Sequence, residues 1–125
     1  MIHSLTGLTG VVLKAALDAA SMRQTAGAAN IANANRPGYV PVRVSFEAEL
    51  EQALSAQRQR GGEFVAPKPV LHPVETSANG NESASVKLDE ESAALVTNAL
   101  HYQALIGGLR GLSEIVTAAV SDGKR

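Results

Sequence analysis

Residues 28–39 read Ala-Ala-Asn-Ile-Ala-Asn-Ala-Asn-Arg-Pro-Gly-Tyr, and they lie where an alanine-rich helical pattern stops. Asn30 and Asn33 are close to one helical turn apart, and a Pro-Gly-Tyr turn follows them. Asparagine competes for backbone hydrogen bonds and is a poor residue for a helix interior. Two asparagines at this spacing therefore predict side chains that order the following loop, a role in fixing the chain path rather than in chemistry.

Upstream of this stretch, apolar and alanine positions alternate in steps of three and four. The members of this N-terminal series are Leu5, Leu8, Val12, Ala15, Ala19, Met22, Ala26 and Ala29. Such spacing is the a/d pattern of a coiled-coil helix, and it predicts one helix from Leu5 to Asn33, about 40 Å long. Gly7 and Gly10 weaken its first turns, because each glycine costs about 1 kcal/mol relative to alanine.

Downstream of the asparagines, Pro37 and Gly38 end the helix, since a residue before proline is pushed out of the α region. Valine and phenylalanine then alternate with other residues over 40–46, which predicts a short extended segment. Pro41 confines that segment to a sheet edge or to an isolated strand.

A short helix is predicted over 46–59, with Ser45 as its N-cap and Gly61 after its end. Its apolar face consists of Phe46, Leu50 and Leu54. From residue 63 to 85, prolines and a polar run predict an extended, polyproline-like path with no regular secondary structure and a mobile connector.

A second long helix is predicted from Leu88 to Val120, about 50 Å in length. Its apolar series again steps by three and four, through Leu88, Ser92, Leu95, Ala99, Tyr102, Ile106, Leu109, Ser113, Val116 and Val120. Residues 89–91 are acidic and lie at its N-terminus, where the helix dipole favours negative charge. The apolar stripe is long, so we expect partner helices to cover it.

The predicted fold is therefore mainly α. Long N- and C-terminal helices pack as an antiparallel coiled-coil-like pair, and an irregular middle segment contains a short helix and short extended pieces. Three segments make up one structural domain: the N-terminal helix at 1–35, the turn, short helix and connector at 36–87, and the C-terminal helix at 88–125.

Composition narrows the function classes. The 125 residues are 45% hydrophobic but only 3% aromatic, which suits thin helix–helix contacts, and the net charge of −1 offers no attraction to nucleic acid or to an anionic membrane. The chain has no cysteine, so disulfides and thiol chemistry are excluded. No run approaches the roughly 18 unbroken apolar residues of a membrane span, and the start lacks the basic region of a cleaved signal peptide.

No pattern indicates an enzyme. His3, His72 and His101 lack metal-ligand spacing, and neither a nucleophile elbow nor a glycine-rich phosphate loop occurs. We therefore predict no catalytic residues, no cofactor and no metal. Three glycines at 107, 108 and 111 favour close approach of a neighbouring helix or, alternatively, a flexible kink.

Two motifs together resemble one known family. Residues 29–39 are similar to the motif Ala-Asn-x-x-Asn-x-x-Thr-Pro-Gly-Tyr of the bacterial flagellar basal-body rod proteins, most of all the proximal rod members, with Arg36 in place of the usual threonine. Near the C-terminus, residues 80–81 read Gly-Asn, residues 86–91 read Val-Lys-Leu-Asp-Glu-Glu and residues 98–103 read Asn-Ala-Leu-His-Tyr-Gln, in the family's order. The matches cover about the first 46 and the last 45 residues.

This resemblance implies a structural subunit of the flagellar basal body. Such a subunit forms the proximal rod, which transmits torque across the periplasm, and it assembles by helical stacking of its terminal helices. The family is exported by the flagellar type III apparatus without a cleaved signal peptide. The implied partners are other rod proteins, copies of the chain itself, the rod-base adaptor protein, and the MS ring or export gate, with no nucleic acid, small-molecule substrate or direct membrane insertion.

Two sets of functional residues are predicted. The loop-ordering motif comprises Asn30, Asn33, Pro37, Gly38 and Tyr39. The assembly interface comprises Leu5, Leu8, Val12, Met22, Leu95, Asn98, Tyr102, Leu105, Ile106, Leu109, Leu112 and Val116. The alternative function, from the apolar stripes alone, is a soluble helical adaptor that folds on a partner helix and does not polymerise.

Overall fold

The structure is a computed structural model that describes residues 2–74 and 86–124, with side chains from residue 6 onward in the first helix. Its elements are α1 (Ile2–Ala32), β1 (Val42–Ser45), α2 (Glu47–Arg60), β2 (Val70–Pro73) and α3 (Leu88–Asp122). Both long helices occur where the apolar periodicity predicts them. The polar run at 75–85, read from sequence as part of a mobile connector, lies outside the described residues, as does the side chain of Leu5.

Helices α1 and α3 pack against each other in opposite directions. A Cβ built at Gly10, near the start of α1, would lie 3.8 Å from Leu112 Cδ2, near the end of α3. A Cβ built at Gly27, near the end of α1, would lie 2.5 Å from Leu95 Cδ2, near the start of α3. The predicted antiparallel pair of terminal helices is therefore confirmed, and the fold is mainly α.

The face of α1 that meets α3 differs from the predicted one. Ala15 and Ala19 belong to the predicted a/d series, but they pack on Phe46 of the middle segment. The contacts with α3 involve Ala20 and Gly27, which lie on another side of the helix. Part of the a/d series therefore packs on the middle segment, because α1 has two neighbours and periodicity alone does not say which neighbour an apolar face meets.

The middle segment contains a two-stranded antiparallel ribbon. Arg43 of β1 lies opposite His72 of β2, and the Val74 N–H donates to the Pro41 carbonyl at 2.8 Å. The predicted short extended segment is confirmed over 42–45, where it forms β1. The expectation of no regular structure from residue 63 was wrong for β2, because the strand pairs with a partner distant in sequence and tolerates Pro73 at a position that faces away from that partner.

Helix α2 begins one residue later than predicted, and its N-cap is different. Phe46 holds the N-cap position, without any side-chain hydrogen bond to the helix backbone. Ser45, the predicted N-cap, instead donates from Oγ to Glu49 Oε1 at 2.8 Å. Phe46 is only 2% exposed. Burial of its ring therefore determines how the chain enters α2, and this outweighs the preference for a serine cap.

A small core cluster lies between α1 and the middle segment, where Ala15 and Ala19 pack with Phe46. Ala20 and Ala26 are further buried apolar side chains of α1. Alanine buries little area but lets backbones approach closely, so this part of the molecule is held by close contact more than by bulky side chains.

Much of α3 remains exposed. Val96, Leu100 and Ile115 are each more than three-fifths exposed. By length and composition alone the helix is apolar enough to cross a membrane, and none of its most apolar stretch is buried within the chain. An exposed apolar face of this kind is equally typical of a helix that packs against other protein subunits.

Candidate functional site: a polar junction between α1, β1 and α3

Asn30 is the centre of the junction. It lies in the last turns of α1, and its side chain is fully buried. Its Nδ2 donates to the Val42 carbonyl and to Glu91 Oε1, both at 3.0 Å. Its Oδ1 accepts from the Val42 N–H at 2.9 Å and from the Tyr39 hydroxyl at 3.0 Å. Both donors and both lone pairs of the carboxamide are therefore satisfied.

The contact with Val42 has the pattern of a strand pairing. Both the N–H and the carbonyl of Val42 bond to the single carboxamide of Asn30, as they would to the backbone of a neighbouring strand. Asn30 thus pairs with the outer edge of β1 and holds that strand against the end of α1. A buried amide with unmet partners would be costly, so this geometry strongly constrains the path from α1 to β1.

Glu91 attaches α3 to the same point. It lies in the first turn of α3 and is 5% exposed. Its Oε2 lies 3.0 Å from Nη2 of Arg43, and its Oε1 accepts from Nη1 of the same guanidinium at 3.2 Å. This bidentate pair, together with the bond from Asn30, compensates the carboxylate for its burial. The N-terminal end of a helix also favours the negative charge.

The remaining residues of the predicted motif lie outside this buried cluster. Asn33 donates from Nδ2 to the Ala29 carbonyl at 2.8 Å, within its own helix end. Pro37 is exposed. Gly38 has a φ of 75°, a left-handed conformation that glycine adopts without strain. The structure therefore brings Asn30 and Tyr39 together, whereas Asn33, Pro37 and Gly38 shape the turn between them.

Arg36, which replaces the family's usual threonine, takes part in the turn through its backbone. Its N–H donates to the Asn33 carbonyl at 3.0 Å, and its carbonyl accepts from the Tyr39 N–H at 3.2 Å. Its side chain is exposed. Because these bonds use main-chain atoms only, any residue other than proline can make them at this position.

A second polar link joins α1 to β1 and α2. The Arg23 guanidinium forms two hydrogen bonds with the Glu47 carboxylate, one of them 2.7 Å long from Nη1 to Oε1. It also donates to the Val44 carbonyl at 3.3 Å. The hydrogen bond from Arg23 lowers the pKa of Glu47, and partial burial of the carboxyl opposes that shift.

A third link joins the middle of the two long helices. Asn98 of α3 donates from Nδ2 to the Ala20 carbonyl at 2.8 Å and to Gln24 Oε1 at 2.9 Å. A carbonyl inside a helix already accepts one backbone bond and has a second lone pair for this contact. Asn98 is a predicted interface residue, and the structure uses it within the chain.

Apart from Leu5, whose side chain lies outside the described residues, the predicted assembly-interface residues fall into two groups. Those half-buried within this chain are Leu8, Val12, Met22, Leu95, Asn98, Leu105, Ile106, Leu109 and Leu112. Tyr102 and Val116 are 38% and 39% exposed. The most exposed large apolar residues of α3, Val96, Leu100 and Ile115, are absent from the prediction, because the strongest periodic series is the one that packs inside the chain.

Sequence reasoning also missed Glu91 and Arg43. A signal for Glu91 is present, however. Asn98, Leu95 and Glu91 are separated by steps of three and four residues, so they lie on the same face of the helix. Glu91 is therefore a charged residue on a partly apolar face. Such a charge requires a buried partner. No comparable signal identifies Arg43, whose place beside Glu91 depends on how β1 docks.

Chemically, the junction is suited to holding chain segments together. Its charged and amide groups are hydrogen-bonded to other parts of the same chain. Within residues 2–74 and 86–124, no group of three or more histidine and acidic side chains is placed to bind a metal ion. The side chain of His3 lies outside the described residues, and His72 and His101 are exposed.

Comparison with known proteins points to one class, the flagellar basal body rod proteins. The chain is 31% identical over 102 aligned residues to the protein FlgB of Borrelia hermsii, an alignment that covers 69% of this chain and 76% of that protein. It is 29% identical over 123 residues to FlgB of Escherichia coli (strain K12) and of Shigella flexneri, with 81% of this chain and 87% of each relative covered. No family model matches the chain.

These alignments extend over most of both chains. The chain belongs to the FlgB family of flagellar basal body rod proteins.

Proposed function

We propose that this protein is a structural subunit of the flagellar basal body, that it forms the proximal rod, and that it helps to transmit torque across the periplasm. The observation that carries the proposal is the identity with FlgB proteins over most of the chain. The fold supports it, because the contacts that the structure displays hold chain segments together. The proposal includes no enzymatic activity and no cofactor.

In this proposal, subunits assemble by helical stacking of the α1–α3 pairs. The exposed apolar face of α3, represented by Val96 and Leu100, supports the idea, since neighbouring helices would remove it from water. The proposed neighbours are copies of the chain, other rod proteins, the rod-base adaptor, and the MS ring or export gate. We further propose export by the flagellar apparatus without a cleaved signal peptide.

The proposed role of the polar junction is to order the loop between α1 and the middle segment. Asn30 and Tyr39 hold the two ends of that loop, and Asn33, Pro37 and Gly38 shape it. Glu91 and Arg43 extend this set, because they connect the loop to α3. If the chain leaves α1 in the same direction in every subunit, the middle segment has the same position in each. Identical contacts can then be repeated along a rod.

The direct test is electron microscopy of purified basal bodies from a strain in which this chain carries a small density label. We expect the label in the proximal rod, within the periplasm. Intact basal bodies without the label would overturn the proposal. A matched strain that carries the label on an unrelated periplasmic protein controls for contamination.

Deletion of the gene separates this proposal from the alternative of a soluble helical adaptor outside the flagellum. A rod subunit is required for a continuous structure, so its loss should abolish swimming in soft agar, and expression from a plasmid should restore it. An adaptor that never polymerises would leave swimming intact, and that outcome would favour the alternative.

A further inference from the structure

The two strands of the ribbon direct their backbone groups alternately toward each other and away. The Val74 N–H donates to the Pro41 carbonyl, so even-numbered positions of this segment face β1. His72 follows the same phase, opposite Arg43. Leu71 therefore directs its N–H and carbonyl to the open side of β2.

Prolines occupy this outward phase. Pro73 ends β2, and Pro69 immediately precedes it. Pro69 and Pro73 are at odd-numbered positions, which face away from β1, and so is Pro67. Because proline has no N–H, the outer edge from 69 to 73 offers a single backbone donor, on Leu71. An ordinary edge strand offers a donor at every second residue and is a template for pairing with another chain.

The opposite edge of the ribbon is occupied by side chains. The N–H and carbonyl of Val42 both bond to Asn30. The Val44 carbonyl accepts from Nη2 of Arg23 at 3.3 Å. Side chains of α1 thus use both backbone groups of Val42 and the carbonyl of Val44 on the outer side of β1, and another strand cannot reach these groups without breaking the bonds.

The ribbon is apolar enough to need such protection. Val70 and Leu71 are each 51% exposed. An exposed β-branched or apolar strand with a free edge favours edge-to-edge association. Natural sheets commonly prevent it with proline on the edge, and here the prolines fall in the phase where they cost the β1–β2 ladder no hydrogen bond.

We propose that Pro69 and Pro73 close the outer edge of β2 against strand addition by a second copy of this chain, while Asn30 and Arg23 close the outer edge of β1. Contacts between copies are then left to the helices. This inference is independent of the flagellar assignment, because it follows from the register of the ribbon and the positions of the prolines.

The test replaces both prolines in the full chain, as Pro69→Val with Pro73→Val, which restores two donors to the open edge. We expect self-association beyond that of the wild type. The weight-average mass from sedimentation should at least double across a tenfold rise in concentration where the wild-type mass is constant, and an intermolecular β-sheet band should appear in the infrared spectrum. A mass and spectrum equal to those of the wild type would overturn the proposal.

His72→Val is the matched control. It adds the same β-branched apolar side chain to the same strand, but its N–H faces β1 and adds no donor to the edge. We expect it to behave as the wild type. If this control associates to the same extent as the double variant, added apolar surface governs association and the restored edge donors do not. The proposal would then fail.

If the double variant loses its helical circular dichroism, it is not folded and cannot test the proposal. The single variants Pro69→Ala and Pro73→Ala then provide the test. Each adds one edge donor without β-branched bulk. A rise in mass and a β-sheet band in Pro73→Ala, whose new donor lies inside β2, supports the proposal. Wild-type behaviour of both single variants overturns it.

Discussion

At the scale of single residues, the most constrained side chain is Asn30. Its carboxamide replaces a neighbouring strand for Val42 and at the same time bonds to Tyr39 and Glu91. Asparagine is well matched to this task, because a carboxamide is both a double donor and a double acceptor. Aspartate lacks the donors, and a serine hydroxyl is too short and has only one donor.

We expect Asn30→Ala to destabilise the protein by about 3 kcal/mol, because a buried group left without its partner costs about 1–3 kcal/mol and several groups lose theirs. Asn33→Ala is the control. The Ala29 carbonyl that Asn33 contacts keeps a backbone bond at 3.1 Å, so the expected loss is below about 1 kcal/mol. Urea unfolding followed by circular dichroism measures both, and equal losses would contradict the assigned role of Asn30.

Gly27 sets the distance between α1 and α3 at the junction. A Cβ there would lie 2.5 Å from Leu95 Cδ2 and 3.0 Å from its Cγ, whereas a Cβ at Gly10 would lie at an ordinary 3.8 Å from Leu112. The helix propensity of alanine favours both substitutions by about 1 kcal/mol, but overpacking at Gly27 costs about 1–3 kcal/mol.

Gly10→Ala should therefore stabilise the protein by up to about 1 kcal/mol. Gly27→Ala should lower the free energy of unfolding by up to about 2 kcal/mol, the overpacking cost less the propensity gain. The midpoints of urea unfolding compare the two variants directly. Equal stabilisation by both substitutions would show that α1 and α3 have room to spare at Gly27.

At the scale of elements, α2 is attached to α1 by one cluster of apolar side chains and one ion pair. Phe46 inserts into the alanine face of α1, and the Arg23–Glu47 pair lies beside it. The side chain of Glu47 is 65% exposed and that of Arg23 is 27% exposed. Solvent screening therefore limits the pair to less than about 1 kcal/mol, and Phe46 contributes more to the attachment.

The Arg23–Glu47 pair should make stability depend on pH. Because the folded protein lowers the pKa of Glu47, the pair stabilises the fold above the ordinary glutamate pKa of about 4.3. The contribution is lost as the pH falls below that value toward the pKa of the folded protein. Glu47→Gln should thus be less stable than the wild type by under about 1 kcal/mol at pH 7, and the difference should shrink toward pH 3.

Glu51→Gln is the control for that measurement, since Glu51 is an exposed carboxylate of the same helix. Thermal unfolding of the three proteins across the pH range gives the comparison. A constant difference between the wild type and Glu47→Gln at all pH values would mean that the ion pair does not contribute to folding.

At the scale of the whole molecule, α1 and α3 are used differently. Helix α1 has α3 on one side and the middle segment on another, whereas α3 shows an apolar outer face at Val96, Leu100 and Ile115. A helix with this much exposed apolar surface is more consistent with a subunit of a larger assembly than with an isolated domain.

Leu100→Asp tests this difference in the cell. Because Leu100 is 63% exposed, the substitution should leave the helicity of the purified chain unchanged and its stability within about 0.5 kcal/mol. In the proposed assembly the new charge would be buried without a partner, so we expect swimming in soft agar to be lost. Leu100→Met retains an apolar side chain and should swim normally. Normal swimming of Leu100→Asp would exclude this part of α3 from a subunit contact.

Local sequence rules account for the two long helices, the turn after Asn33 and the extended segment before Phe46, because these depend on local periodicity and on the conformational limits of proline and glycine. The same local rules singled out Asn30 and Tyr39. Local rules gave the wrong result in two places. At Ser45, burial of Phe46 outweighed the preference for a serine N-cap. At β2, pairing with a distant strand outweighed the local preference for irregular structure.

The packing of separate segments determines which side of α1 meets α3, which strand pairs with β1, and that Glu91 and Arg43 complete the junction around Asn30. The physical reason is that these contacts join residues far apart in the chain. An apolar stripe indicates that a helix face is covered, but it does not identify the element that covers it. The partner of a buried carboxylate is set by which segments pack together.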